Sequence, residues 1–355
     1  MKVIAVRRGE TRPTIIDVER PVPNSGEALI RTLRVGIDGT DHEVIEGNHG
    51  GYPEDADYQV LGHEAVGVVE DANDTDLTEG QVVVPTVRRP PTGQPTTAYF
   101  ERGEPDMAPS GEYVERGIVG AHGYMAEFFT SPEEFLVSIP EALWEHGFLV
   151  EPISNSEKAL QHAYATRSAF EWSPESAFVL GNGSLGLLTL AMCREQFDRL
   201  YCLGRRDRPD PTIDIIESLG ATYVDSRETP VDSVAEVYEP MDFVYEATGY
   251  AKHAFETIHA LAANGVGVLL GIPDEWEFDI NGGRLHSELV LENKALVGSV
   301  NSNVAQYRDA IKTLAEFDDW FLDELLTGVF APSEHDQAFK TGDQVIKSVI
   351  EFDTL

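Results

Sequence analysis

Three short segments carry the side chains best suited to hold a metal ion. Gly36-Ile37-Asp38-Gly39-Thr40-Asp41-His42 and Gly62-His63-Glu64-Ala65-Val66-Gly67 each place oxygen or nitrogen donors at a glycine-containing turn. Leu149-Val150-Glu151-Pro152-Ile153 sets a carboxylate between an apolar run and a proline. Taken singly, each reads as ordinary structure, because acids are abundant in this chain and a lone histidine usually packs. Taken together, the three segments support a mixed carboxylate–imidazole site of the kind that binds zinc and leaves one position open for water or substrate. Such a shell suits zinc and discriminates only weakly against other divalent ions. His42, on the turn after Asp38, reads either as a general base or as an exposed residue.

A second constellation addresses a nucleotide. Gly181-Asn182-Gly183-Ser184-Leu185-Gly186 is a G-x-G-x-x-G that follows the apolar run 177–180 and opens a helical run over 187–193. The first glycine permits a tight turn, the second lets the backbone approach a pyrophosphate, and the third lets helix and strand pack closely. The diphosphate then meets the free N–H groups at the helix N-terminus. The next strand, 200–203, ends in Gly204-Arg205-Arg206-Asp207-Arg208. An NAD site places an acid at this tip for the ribose 2′-hydroxyl. Glycine followed by arginines instead favours a 2′-phosphate, which guanidinium groups bind through paired N–H donors. The expected cofactor is therefore NADP, with use of NAD also open.

The elements that must position these groups divide the chain in two. The first third reads as short strands, 27–35, 66–70 and 81–84 among them, separated by Gly, Pro and Asp. A stretch over 88–115 rich in Pro, Gly and Thr reads as a functional lobe or arm. From about residue 173 the pattern alternates strand and helix, which indicates an open parallel sheet. The tail from about residue 303 returns to helix and then a short strand. At 355 residues, two domains are expected.

Composition narrows the function classes. Sixty-two acidic residues against 26 basic ones give a formal net charge of −36. The acids are spread along the chain and 42% of residues are hydrophobic, so neither an acidic tail nor disorder explains the charge. An acid-rich surface repels itself in dilute buffer and is relieved by salt, which reads as adaptation to a high-salt cytoplasm. The same charge argues against nucleic-acid or anionic-membrane binding, which needs clustered Lys and Arg. No apolar stretch reaches membrane-spanning length, and the N-terminal segment lacks a signal-peptide pattern. The expected location is the cytoplasm. Cys193 and Cys202 fall on an expected helix and strand and cannot build a disulfide framework.

The order of these motifs, with Gly80-Gln81-Val82-Val83 following, resembles the medium-chain zinc-dependent alcohol dehydrogenase superfamily across nearly the whole chain. The Glu151-Pro152 segment and Val119-Gly120-Ala121-His122-Gly123-Tyr124-Met125-Ala126-Glu127 resemble its glucose dehydrogenase branch, and most closely the haloarchaeal members, with Asp38 where the superfamily usually has cysteine. The resemblance implies an α/β fold, a Rossmann doubly wound parallel sheet plus a GroES-like β-rich catalytic domain. It implies a catalytic domain over 1–155, a dinucleotide-binding domain over 156–300 and a return segment over 301–355.

It further implies that Asp38, His63 and Glu151 hold one catalytic zinc, with Glu64 a ligand in some states and an outer carboxylate in others. Thr40 would bond the reacting hydroxyl. Glu115, Glu151, Asn155 and Asn301 would bind sugar hydroxyls. Ser299, Val300 and Asn301, at the end of a strand expected over 295–300, would lie against the nicotinamide. The implied reaction is oxidation of β-D-glucose at C1 to glucono-1,5-lactone, with hydride transfer to NADP or NAD. Another zinc-dependent polyol, sugar or alcohol dehydrogenase, or a non-catalytic dinucleotide-binding relative, are the competing readings. The superfamily's four-cysteine lobe is replaced by 88–107 without cysteine, so no structural zinc is expected. A homodimer or homotetramer is expected, with the edge strand near 296–300 extending a sheet across a two-fold axis.

Overall fold

The computed structural model describes residues 1–93 and 96–355, which fall into two units, Met1–Ser154 with Asn301–Leu355, and Asn155–Val300.

The first unit is built around the long strand Glu27–Ile37, whose inward residues are almost all buried. Glu64–Asp71 pairs along one edge of it and Lys347–Glu351 along the other, both antiparallel. The sheet extends outward through Val82–Pro85 and Leu136–Ser138 on the first side, and through Leu326–Phe330 on the second. Phe128–Pro132 also pairs with the central strand. A second layer, in which Lys2–Arg7 is flanked by Pro13–Asp17 and Tyr58–Val60, shares a core with this sheet that includes Ile4, Val35, Leu61, Met125 and Ile350. The C-terminal strand is therefore integral to the sheet. Arg34 fastens it by donating to Glu351 from Nε at 2.8 Å and Nη2 at 2.6 Å. The stretch expected as an irregular lobe contains the short strands Arg88–Arg89 and Val114–Arg116, which pair with one another, and the one-turn helix Ala98–Glu101. Residues 94 and 95 of that lobe lie outside the described residues.

The second unit is a six-stranded, wholly parallel sheet. In chain order its strands are β1 (Ser176–Leu180), β2 (Arg199–Gly204), β3 (Thr222–Asp225), β4 (Met241–Glu246), β5 (Leu261–Leu269) and β6 (Ala295–Gly298). Their order across the sheet is β3-β2-β1-β4-β5-β6. This is the doubly wound dinucleotide-binding order, with its switch point between β1 and β4. β1 is buried at every position, as a strand covered by helices on both faces must be. The strand expected over 295–300 ends at Gly298, because the chain leaves the sheet there and Asn301 adopts a left-handed φ of 57°. Cys193 and Cys202 are buried free thiols on a helix and a strand, and burial pushes both upward, Cys193 to about 12 and Cys202 further still.

Candidate functional site

Asp38 stands at the N-cap of the helix Gly39–Glu46, in extended conformation. Its Oδ1 accepts from Asp41 N at 3.1 Å, and Asp41 Oδ2 accepts from Asp38 N at 3.1 Å, a reciprocal capping box. The other oxygen of Asp38 is thereby left to face inward. Thr40 Oγ1 donates to that Oδ2 at 3.1 Å, and His63 Nε2 lies 3.5 Å from it. Asp41 also reaches a second segment. Its Oδ1 accepts from Gly62 N at 3.0 Å, tying the turn before His63 to the start of this helix. The sequence reading did not single out Asp41, although an acid three residues after a candidate N-cap is the signature that marks it. His42, on the same helix, packs edge-on against Phe339 with ring centroids 6.0 Å apart.

Five side chains gather here in two groups that share His63. Asp38, Asp41 and His63 form one group, and His63, Glu64 and Glu151 another, each with ligand atoms within 4.8 Å of one another. His63, Glu64 and Glu151 are all buried. The spacing fits a zinc ion: two ligands about 2.0–2.2 Å from one zinc at the tetrahedral angle lie roughly 3.4 Å apart, and Asp38 Oδ2 and His63 Nε2 are 3.5 Å apart. Both oxygens of Asp41 are engaged by backbone N–H groups, so Asp41 supports the site from behind.

The electrostatics point the same way. Burial works against ionising Asp38, but His63 beside it, with Lys347 and the Asp41 backbone, holds its carboxyl well below the usual carboxylate range. Burial likewise favours the neutral imidazole of His63, yet Asp38, Glu151 and Asp41 raise it well above its ordinary value. Burial and the charge of Asp38 push Asp41 up to about 7. Carboxylates grouped around one imidazole, most of them out of water, make a site that a divalent cation would stabilise.

A polar chain leads from these donors to the expected sugar residues. Ser154 Oγ donates to Glu151 O at 2.6 Å and meets Ser302 Oγ at 2.5 Å. The neighbouring Asn301 donates from Nδ2 to Glu115 Oε1 at 3.2 Å. Glu115 is held in turn by buried Arg88, whose Nε donates to the same oxygen at 2.9 Å while Nη1 donates to Asp106 O at 2.7 Å. Arg88 was invisible as a site residue in the sequence, since nothing near it in the chain names Glu115 as its partner. Asn155 lies four residues beyond Glu151 on the helix Val150–Thr166, half-buried, and belongs to the second unit.

The second unit presents the glycine turn. Gly181 has φ +115°, a conformation that L side chains rarely adopt. A Cβ at Gly186 would stand 1.9 Å from Gly181 O, so the third glycine is required by space. Gly183 caps the helix Ser184–Cys193 with no side-chain bond, which leaves its first-turn N–H groups for an anion. The helix begins at Ser184, a turn earlier than its apolar run suggests, and so takes in Ser184, Leu185 and Gly186. Asn182 Nδ2 donates to Thr212 Oγ1 at 2.6 Å, and its side chain stands over Gly204.

Among the arginines that follow, Arg208 binds Glu217 with both terminal nitrogens. Arg206 lies 4.0 Å from Asp210 and its backbone N donates to Tyr223 Oη at 2.8 Å. Arg205 is exposed, with no ion pair among the described residues. Within this basic turn Arg205 is thus the exposed arginine, while Arg206 sits beside Asp210. At the far edge of the sheet Ser299 is buried, its Oγ without a partner among the described residues, and the carbonyl of exposed Val300 accepts from Lys158 Nζ at 3.0 Å.

Known proteins match the chain along its length. Residues 24–141 match the alcohol dehydrogenase GroES-like domain, and residues 144–352 match the glucose dehydrogenase C-terminus. The chain is 62% identical to a glucose 1-dehydrogenase of Haloarcula marismortui and 65% identical to one of Haloferax mediterranei, covering all of both chains in each case. It also matches the structure of Haloferax mediterranei glucose dehydrogenase in complex with NADP, Zn and gluconolactone, with a TM-score of 0.99 at 65% identity and full coverage of both chains.

Proposed function

The chain belongs to the glucose dehydrogenases of the GroES-like alcohol dehydrogenase fold, and on that premise we propose that it oxidises β-D-glucose at C1 to glucono-1,5-lactone with NADP as hydride acceptor and a zinc ion held by Asp38, His63 and Glu151. The observation that carries this reading is the meeting of half-buried Asp38 Oδ2 with buried His63 Nε2, 3.5 Å apart, with Glu64 and Glu151 grouped on the same histidine.

In the reaction the C1–H electron pair leaves as hydride, the O1 proton is lost, and a C1=O1 double bond forms. Zinc bound at these residues supplies Lewis-acid stabilisation of charge developing on O1. Thr40 donates its own proton to Asp38. Its lone pairs therefore face the substrate, where they accept from the reacting hydroxyl and orient it. The proton then departs through Thr40, Glu64 or water. Glu115 and Asn301, already joined by a hydrogen bond, offer a carboxylate acceptor and an amide to sugar hydroxyls, with Arg88 fixing the carboxylate. Glu151 and Asn155 complete the set. Sites that hydrogen-bond a hydroxyl discriminate strongly against analogues lacking it, because their buried polar groups are then left unpaired. On the second unit, the N–H groups after Gly183 take the diphosphate, Arg205 and Arg206 the 2′-phosphate, and Ser299 and Val300 line the nicotinamide end.

Initial rates with NADP and a panel of sugars and alcohols test the assignment. The expected result is the highest kcat/KM for glucose, with one zinc per chain by metal analysis, loss of activity on chelation and recovery on adding zinc. A higher kcat/KM for a polyol or simple alcohol would move the chain to a neighbouring activity.

We read the assembly as a homodimer formed through β6, with a tetramer of two such dimers as the larger alternative. β6 ends the sheet and has no partner on its outer side among the described residues. The flanking segments expose Ile272, Trp276, Ile280, Val290 and Leu291, with Leu291 77% accessible. So many exposed apolar groups in a chain of charge −36 mark an interaction surface, and an unpaired edge strand recruits another strand. Sedimentation should give a multiple of the 39.1 kDa chain mass. Val297→Lys with Leu291→Lys should reduce it towards 39.1 kDa without unfolding the chain, and an unchanged mass would place the interface elsewhere.

The acid-rich surface fits the origin of the relatives in Haloarcula and Haloferax. No helix among the described residues is long and apolar enough to cross a membrane.

A further inference from the structure

Glu64 has a partner that its sequence neighbourhood does not reveal. Lys347, from the C-terminal strand, forms an ion pair with Glu64 Oε2, and both side chains are buried, at 1% and 2% accessibility. The two residues come from strands on opposite edges of Glu27–Ile37. Gly36 on that strand pairs with Glu64 on one side and with Val349 on the other. The two side chains therefore meet over Gly36. A Cβ there would lie 2.2 Å from Glu64 Oε2, 2.9 Å from Phe148 Cδ2 and 3.1 Å from Lys347 Cε. Gly36 is absent from the left-handed residues, so its lack of a side chain serves space and not backbone conformation.

The carboxylate of Glu64 is consequently claimed from two directions. On one side lies the ammonium of Lys347. On the other lies the group it forms with His63 and Glu151. A catalytic zinc site works with three protein ligands and one exchangeable position. Asp38, His63 and Glu151 already supply three, and a fourth carboxylate would take the position that the substrate hydroxyl needs. A fixed cation beside that carboxylate opposes its transfer to a second cation.

We propose that Lys347 is a positioning residue that holds Glu64 back from the metal and so keeps one coordination position open, with Gly36 providing the room for the pair. The inference rests on the reading that Asp38, His63 and Glu151 hold the metal. Lys347 acts through Glu64 and touches neither substrate nor cofactor in this role.

The test is zinc affinity of the metal-depleted full chain in molar salt, measured by competition with a chromophoric chelator, without nucleotide or sugar. Lys347→Met, which keeps the length of the side chain and removes its charge, should bind zinc about tenfold tighter, the scale on which outer partners tune metal sites. In a Glu64→Gln background the same change should give less than about a threefold gain, since the ligand to be released is gone. Cobalt supplies a second readout. The visible spectrum of cobalt-loaded Lys347→Met should shift, should cease to respond to glucose, and should regain the wild-type form in the double variant.

Gly36→Ala keeps the lysine but denies the carboxylate its seat, so it should reproduce the spectral shift and the tighter binding; it carries the test if Lys347→Met fails to fold. An unchanged or weaker zinc affinity in these variants overturns the proposal, as does an equal gain in the Glu64→Gln background, which would make Lys347 a general repulsive charge. Wild-type chain that binds no zinc sinks the underlying metal reading, whereas one bound zinc with unresponsive variants sinks this inference alone.

Discussion

Replacing Asp38 with alanine is expected to lower kcat/KM for glucose by about 10³-fold or more, with the affinity for NADP changed little. Losing both a metal ligand and the group that orients the substrate's hydrogen-bonding partner removes stabilisation realised in the transition state. The residue is also a helix cap, and losing a cap costs about 0.5–2 kcal/mol of stability. A fall in activity alone would therefore not separate chemistry from folding. Asp38→Asn resolves this, because the amide oxygen still accepts from Asp41 N while the charge facing His63 is gone. Asp38→Asn is expected to keep the unfolding temperature near wild type, to bind zinc more weakly, and to lose most of the turnover. Its NADP affinity should stay intact, since the glycine turn lies in the other unit. Near-normal turnover by a metal-free Asp38→Ala chain would remove the metal, and this aspartate, from the mechanism.

Much of the fold could be read from local pattern. Short apolar runs separated by helical periods imply a parallel sheet, and the glycine spacing at 181–186 marks where its first strand must turn. These signals are local because strand, turn and helix N-terminus are contiguous in the chain. The medium-chain dehydrogenase fold and the glucose dehydrogenase assignment were both expected from the motifs and agree with the family matches. Strand ends were less legible. β6 stops at Gly298 because the chain leaves the sheet towards Asn301, whose left-handed backbone has no local signature beyond being an asparagine.

What stayed hidden in the candidate site were the supports. Arg88 fixes Glu115 from a neighbouring strand, Asp41 ties two distant turns together, and Lys347 reaches Glu64 from the last strand of the chain. Arg88 and Lys347 are single charged residues whose roles are set by tertiary pairing, whereas Asp41 carries a local capping signature and only its bond to Gly62 is tertiary. Donors that must sit at turns leave a pattern of glycines around themselves. Residues that only hold those donors in place leave none, because any strand position facing the right way will serve. Gly36 is the exception: it marks the Glu64–Lys347 pair by its own missing side chain, though only once the strand register is known.

Arg205→Asp combined with Arg206→Ile is expected to lower the ratio of kcat/KM for NADP to that for NAD by about 10²-fold or more. The two cofactors share adenine, diphosphate and nicotinamide, so contacts to those parts cancel in the ratio and only the 2′ position remains. A charge-assisted hydrogen bond contributes about 1.5–3 kcal/mol, and tenfold in specificity corresponds to about 1.4 kcal/mol. Losing two such contacts, and placing a carboxylate near a phosphate, therefore suffices. The change is better made at 205 than at the strand tip. A Cβ on Gly204 would stand 2.7 Å from Tyr223 Cε2 and 2.8 Å from the Asn182 side chain, so an acid there would displace both. Nor do the other arginines compensate, since Arg208 is held by Glu217 and Arg227 by Asp207 and Asp225. Salt screens an exposed pair, so the ratio must be compared at one ionic strength, and the effect should grow as salt is lowered within the range where the chain stays folded. A ratio that does not move would mean that the 2′-phosphate is held by groups outside this turn.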